Sequence, residues 1–350
     1  MSLGSNSKSA IKRTTTWGTA GVPGAGDLFI PDSDTINGGA EGVEEVGLNG
    51  SVWGTPGPIL GSLITNGTIT AGARFATNID LLWALSMGAA GSATDTGDGI
   101  AYTHAIDLAD NLSEMFSYWM DKDVSVWEID SLMVNSIAFT ASLNGRFTFG
   151  VDVVGRNLDY TSAASLGTVT EPEDTNGQNT FWNLNKAKFR INASGGAALT
   201  DADGIEISEF SLNLDNNLAV DDFLTATDNC AGVIAQPTRL GQPGVTGSFS
   251  LPEYAVNTWR DAYGNATEFK MDLEFCGPVI TGSLETYKVL YSFPRVRIVE
   301  APDNAMTGPD RIPNQVTFQA FEADAAPTGM TGITKPFRIV YTNRRATDIL

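Results

Sequence analysis

The sequence predicts an all-β protein with flanking helices, arranged as two tandem β-sandwich or barrel domains with one short helix each. Three observations carry this. Apolar residues recur with period two along much of the chain. Only two stretches show helical spacing instead. Glycine and proline are plentiful, 37 and 15 of 350 residues, which asks for many turns.

Residues 1–30 are rich in Ser, Thr, Gly and Ala and lack periodicity. Residues 1–35 are therefore expected to be an N-terminal arm, either frayed or ordered on a neighbouring subunit. A strand-like stretch, Gly67 to Ala71, precedes the first helical segment, Asn78 to Met87. Thr77 or Asn78 suits its N-cap and Gly88 its C′ position. Residues 89–111 look like an insertion. Ile137, Phe139 and Leu143, with Ala141 between, share one strand face, and Asn144-Gly145 suits a two-residue type I′ turn. The chain returns with Phe147, Phe149, Val151 and Val153. Tyr160 to Asn179 reads as a connection. Phe210, Leu212 and Leu214 alternate with polar residues. A strand-like stretch, Gly247 to Leu251, leads to the second helical segment, Glu253 to Tyr263, started by Pro252 and stopped by Gly264. Phe269 to Phe275 alternates next, then Tyr287 to Phe293, ended by Pro294, then 295–299, 316–321 and 337–342. One apolar face per strand predicts antiparallel sheets covered on one side.

The order of elements suggests a repeat. Gly88 and Gly264 are 176 residues apart, and Phe149 and Phe318 are 169 apart. Unequal loops explain unequal offsets, although two β-rich halves also resemble each other by chance. The expected division is an arm at 1–35, a first β domain with its connecting loop at 36–185, and a second at 186–350.

Composition narrows the function. Forty-one acidic residues against 21 basic ones give a charge of −20, yet only 18% of residues are charged, against about 25% in average domains. Scarce Lys and Arg argue against tight, sequence-independent DNA binding. The longest apolar run is Leu81 to Leu85, so no membrane span is expected. The first ten residues lack a signal-peptide core, so synthesis in the cytoplasm is expected. One histidine, His104, and two cysteines, Cys230 and Cys276, are too few for a structural zinc site. No Cys–His or Ser–His–Asp chemistry exists without His104, which reads as a structural strand residue. No carboxylate pair stands out, and no catalytic, cofactor-binding or metal-binding residue is predicted. Pairing of Cys230 with Cys276 stays open. Asp201-Ala-Asp203-Gly204 lacks EF-hand spacing and reads as a solvated turn. Gly21 to Gly26 has no strand before it and no helix after it, so it is no phosphate loop. Asp272 and Glu274, opposite Phe269 to Phe275, form a polar face that is either merely solvated or a surface whose charge matters.

The segments Gly67 to Gly88, Tyr102-Thr-His104, Val134 to Gly145 and Phe149 to Gly155 resemble, in that order, the two-domain phage tail tube proteins. Ile207 to Leu218, Thr246 to Leu251, Phe293 to Ile298 and Val316 to Phe321 continue the likeness across about residues 45–345. The resemblance implies a structural virion protein with no enzymatic activity and no cofactor. It implies trimeric, pseudo-hexameric rings stacked into a hollow tail tube, with DNA and the tape-measure protein passing through the lumen. Tail terminator and distal tail proteins would be further partners, and no membrane is involved. Asp272 and Glu274 become candidates for an acidic lumen. The arm, or the connection at 160–185, is expected to touch the adjacent ring. The alternatives are a baseplate or receptor-binding β protein recognising a host surface ligand, or a carboxylate-dependent glycosidase.

Overall fold

The alternating segments become strands in a computed structural model, which describes residues 7–43, 59–75, 78–171, 184–219, 232–254, 256–301, 312 and 314–350. The first half holds β1 (Ser9–Thr14), β2 (Leu28–Phe29), β3 (Ser33–Asp34), β4 (Asn37–Val43), β5 (Ile59–Gly72), helix α1 (Ile79–Met87), β6 (Gly88–Ala90), β7 (Thr94–Asp95), β8 (Tyr102–Leu108), β9 (Met115–Asp121), β10 (Val126–Ser142), β11 (Thr148–Gly155) and β12 (Leu158–Ser162). The second holds β13 (Ala187–Ala193), β14 (Glu209–Asp215), β15 (Gly244–Leu251), helix α2 (Thr258–Gly264), β16 (Glu268–Val279), β17 (Thr286–Ile298), β18 (Asn314–Ala320) and β19 (Arg338–Asn343). The protein is all-β with two short helices. Its strands form one antiparallel network that closes around a core.

One strand order occurs twice. In the first half the neighbours run β3-β5-β11-β10, and in the second β14-β15-β18-β17. The two sets join where β10 pairs with β14, from Ser136 opposite Asp215 to Ser142 opposite Glu209. The N-terminal parts of β10 and β17 turn into a second layer. There β10 meets β9 and β12, and β17 meets β16 and β19. β9 is flanked by β1 and β16 by β13. β8 crosses between halves to pair with β19.

Helix α1 lies inside the core. Its sequence, IDLLWALSM, is apolar almost all round, and such a helix is stable only when enclosed. All nine residues are buried, and Gly88 ends the helix with φ 85°, a conformation glycine adopts without strain. Trp83 sits edge-on to Phe139 and Phe149 of the first half and to Tyr291 and Phe337 of the second, with centroids 5.8–6.1 Å apart. α2 buries only Trp259 and Ala262 and flanks the core against Phe249 and Phe269. It begins at Thr258 rather than Glu253, because the chain bends after Pro252 and the Tyr254 N–H donates to the Ile312 carbonyl.

Other sequence expectations need correction. Residues 7–34 are not a free arm: β1 lies along β9 for its whole length, with Ala10 and Ile11 buried. Leu166 and Val169 of the expected connection pack against Ala10 and Trp119. The hairpin turn is centred on Asn144, at φ 56°, because Thr140 pairs with Thr148; a type I′ turn on Asn144-Gly145 would need another register. Leu143 consequently points to solvent. Pro294 does not end β17. It sits where the pairing with β16 shifts between Phe269 and Met271, at a bulge that spares its missing N–H. Cys230 and residues 172–183 lie outside the described residues.

Trp83 is where both halves meet, so truncation opens a cavity between them. Trp83→Ala is expected to cost roughly 3–5 kcal/mol in denaturant unfolding, with one cooperative transition retained.

Candidate functional surface

Strands β3-β5-β11-β10-β14-β15-β18-β17 form a sheet whose outer face no described element covers. Alternate residues of each strand point inward: Ile69, Phe149, Ile137, Phe139, Leu212, Phe249, Val316 and Phe318 are buried. Their neighbours point out and are short and polar. One row across the strands reads Thr148, Thr140, Ser211, Ser248, Thr317, and the next reads Thr70, Gly150, Ala138, Asn213, Thr246, Gln319. Hydroxyls bond one another across strands, Thr140 to Thr148 at 3.1 Å and Ser211 to Ser248 at 2.8 Å. The Thr68 and Ser136 hydroxyls both donate to Asp152, at 2.6 and 2.8 Å.

Three acids stand on this face, Asp152, Glu209 and Asp215, all exposed. Among the described residues no Lys or Arg pairs with them. The cations at its margins are engaged: Arg295 and Arg297 both hold Glu268, and Arg146 holds Asp32. The face thus carries three acids without a basic partner among mostly short polar side chains, with Gln315, Gln319 and the Glu268-bound Arg297 toward its β18–β17 side. Sequence reading missed it. The signal was the Ser/Thr alternation on the polar side of each strand.

Asp272 and Glu274 lie elsewhere, on β16 in the second layer. They are not a solvated acidic face. Arg190 of β13 grips Asp272 with two bonds, of 2.8 and 3.0 Å, and reaches Glu274 at 3.1 Å. Burial pushes the Asp272 carboxyl up from its ordinary value, against the pull of Arg190. Burial opposes the charge of Arg190, but the two carboxylates together raise its pKa. Lys270, next on the same side, is buried and donates to the carbonyls of Gly196 and Thr328 at 2.8 and 3.0 Å. Burial pushes its pKa down. The Cys276 thiol lies 3.3 Å from Glu274, and burial raises its pKa. Asp201–Asp203 is an exposed 3-10 turn closed by a Thr200–Asp203 capping box.

A second polar cluster sits at the start of α1. Buried Asp80 pairs with Arg345 at 3.1 Å, and Arg345 also donates to Asn78 at 2.8 Å. Asn78 in turn donates to the carbonyls of Gly26 and Leu28, both at 3.0 Å. The cluster ties the N-terminal segment and the C-terminal segment to one helix end. His104 Nε2 donates to the Arg345 carbonyl at 2.9 Å. Burial lowers the His104 pKa, and Asp80 only partly offsets this. Asp80, Arg345 and Asn78 are held by one another and by structural carbonyls, and of the His104 ring only Nε2 is bonded. Among the described residues, no three His, Cys, Asp or Glu gather as metal ligands. No helix among them is long and apolar enough to cross a membrane.

A family model described as phage tail tube protein matches residues 4–320. The chain belongs to this family. A search of curated proteins finds no match. Membership makes the chain a structural virion component that assembles with itself into a tube. Among the described residues, no element covers the acidic, hydroxyl-rich sheet face of this tail tube protein. The ion-paired clusters, by contrast, hold its layers together.

The His104 cluster sets a pH dependence. With its folded pKa below 6.5, His104 is protonated first in the unfolded chain as pH falls. Its stabilising share is complete above about pH 6.5 and drains as pH drops toward the folded value. Thermal melts of the tail tube protein are expected to lose stability between pH 7 and 5. His104→Gln is expected to flatten that slope while leaving the acid response below pH 5.

Proposed function

We propose that three copies close into a ring in which each copy supplies two of six similar units, and that the exposed sheet face lines the lumen. The observation that carries this is the doubled four-strand order on one continuous sheet, with a single polar face running across both sets. Within a chain the two sets already join edge to edge, at β10 and β14. β3, which among the described strands pairs only with β5, is an edge where a neighbouring copy can extend the sheet, whereas β17 is already flanked by β18 and β16 within the chain; closure removes exposed edges.

The lumen wall then presents Asp152, Glu209 and Asp215 among small hydroxyl and amide groups. A duplex passing within a Debye length, about 8 Å at physiological ionic strength, meets carboxylates that repel its phosphates. Counterions stay on the DNA, so no electrostatic adhesion slows it. DNA and the tape-measure protein pass along this wall, and terminator and distal tail proteins close the ends. Asp272 and Glu274 belong, in this reading, to the outer layer, where Arg190 offsets one of their two charges.

Negative-stain microscopy of the purified chain is expected to show hollow tubes or rings. Compact particles of fixed size without a channel would favour a receptor-binding protein instead. Filter retention of labelled duplex gives the second readout. Tubes of the natural sequence are expected to retain almost none at low salt. Asp152→Lys, Glu209→Lys and Asp215→Lys combined are expected to retain DNA, and to release it steeply as salt rises. Equal retention by both tubes would contradict an inward-facing sheet.

A further inference from the structure

Asn-Gly occurs five times in the chain, at Asn37, Asn49, Asn66, Asn144 and Asn176. Glycine leaves the following amide nitrogen unshielded beside the asparagine side chain, so these two residues can react with each other. Three of the five pairs are among the described residues, and one of them is set up for that reaction. At the start of β4, the Gly38 N–H donates to the Asn37 side-chain carbonyl at 3.0 Å. The Gly38 carbonyl accepts the Tyr160 hydroxyl at 2.8 Å. Both peptide groups of Gly38 therefore face away from β5, and its nitrogen stands outside the ladder. Asn37 is exposed, and among the described residues its amide nitrogen has no partner.

The comparable sites are restrained. Asn144 is clamped by Asn185: its side-chain carbonyl accepts from Asn185 Nδ2 at 2.6 Å, and its own N–H donates to Asn185 Oδ1 at 2.9 Å. The Gly145 N–H is turned to the Ser142 carbonyl at 3.2 Å. Asn66-Gly67 lies on β5 between two strands, Asn66 opposite Asn37 of β4 and Gly67 opposite Val153 of β11, so ladder bonds hold its backbone. Asn192 makes the same contact as Asn37, with the Ala193 N–H at 2.7 Å. There the alanine Cβ crowds the nitrogen, and Asp203 holds the Asn192 amide at 2.8 Å.

We propose that Asn37 is a self-modification site, which converts from amide to acid on the folded protein. Water or hydroxide takes the Gly38 amide proton. The electron pair left on nitrogen points where the hydrogen pointed, at the Asn37 carboxamide. The bond from Gly38 N to Asn37 Cγ forms, the Cγ–Nδ2 bond breaks, and Nδ2 leaves as ammonia with a proton in place of the one removed. Water then opens the succinimide at either carbonyl and leaves aspartate or isoaspartate at position 37. Nothing is oxidised or reduced. The contact matters because such a step needs its reacting atoms held about 3–3.5 Å apart. Directly opposed residues share a face, so Asn37 lies on the side of Asn66 and hence of Thr68 and Asp152. Each conversion adds a carboxylate to the face that carries Asp152, Glu209 and Asp215. The isoaspartate branch also lengthens the β4 main chain by a methylene, next to the Tyr160 bond.

The test holds the purified full chain folded in mildly alkaline buffer and follows each asparagine by peptide mapping and mass spectrometry. Asn37 is expected to convert on the order of tenfold faster than Asn144, with isoaspartate among the products. In denaturant the two rates are expected to converge, because both pairs then have the same local chemistry. Equal rates in the folded chain, or a faster Asn144, would overturn the proposal. So would a product made only of aspartate, since direct hydrolysis bypasses the ring. Asn37→Gln is a second variant, whose longer side chain closes its ring far more slowly. It is expected to abolish conversion at position 37 and to leave the Asn144 rate and the melting temperature unmoved, because the side chain is exposed. Undiminished conversion at position 37 in that variant would also overturn the proposal. None of these readouts requires tubes, so the result stands apart from the tube reading.

Discussion

The pairing of β10 with β14 is the constraint on which the rest depends. Seven consecutive residue pairs join the two halves into one sheet. Each backbone hydrogen bond contributes only about 1 kcal/mol net, but the ladder fixes register. A slip by one residue would exchange Ile137, Phe139 and Leu212 with Ser136, Ala138 and Asn213, burying the polar face and exposing the core. The continuity of the acidic surface across two similar units is therefore a consequence of this seam. So is the parallel direction of β10 and β17.

What the seam does at the surface, α1 does inside. A fully enclosed helix needs walls on every side, and these walls come from both halves, through Phe139 and Phe149 on one side and Tyr291 and Phe337 on the other. The cost of enclosing Asp80 is met by Arg345, which arrives from the C-terminal segment. Breaking that pair from one side would leave a buried charge, so the last residues of the chain are held as firmly as the helix. The result is a chain whose two halves share one core.

Much of the architecture was legible in the sequence. Period-two alternation located most long strands, and the helical spacing of Asn78 to Met87 located α1. The failures share a cause, which is that partners distant in sequence are invisible to local pattern. Arg190 lies 82 residues from Asp272, so a face that looked solvated is a closed ion pair. Ala10 and Ile11 are too few to announce a strand, yet β9 receives them. The acidic sheet face escaped notice because Asp152, Glu209 and Asp215 come from three separate strands and meet only after folding.

The charge of −20 is distributed accordingly. Among the described residues, Asp152, Glu209 and Asp215 of the broad sheet face have no Lys or Arg partner, while Arg297 on its β17 strand is bound to Glu268. That division suits a wall beside which a polyanion moves without adhering. A helical cryo-electron-microscopy reconstruction of the assembled tube tests this most directly. The account predicts three copies per ring, with Thr140, Ser211, Ser248, Asp152 and Asp215 facing the channel. A map in which that sheet faces outward, or in which the channel is lined by Arg190, Asp272 and Glu274, would contradict it.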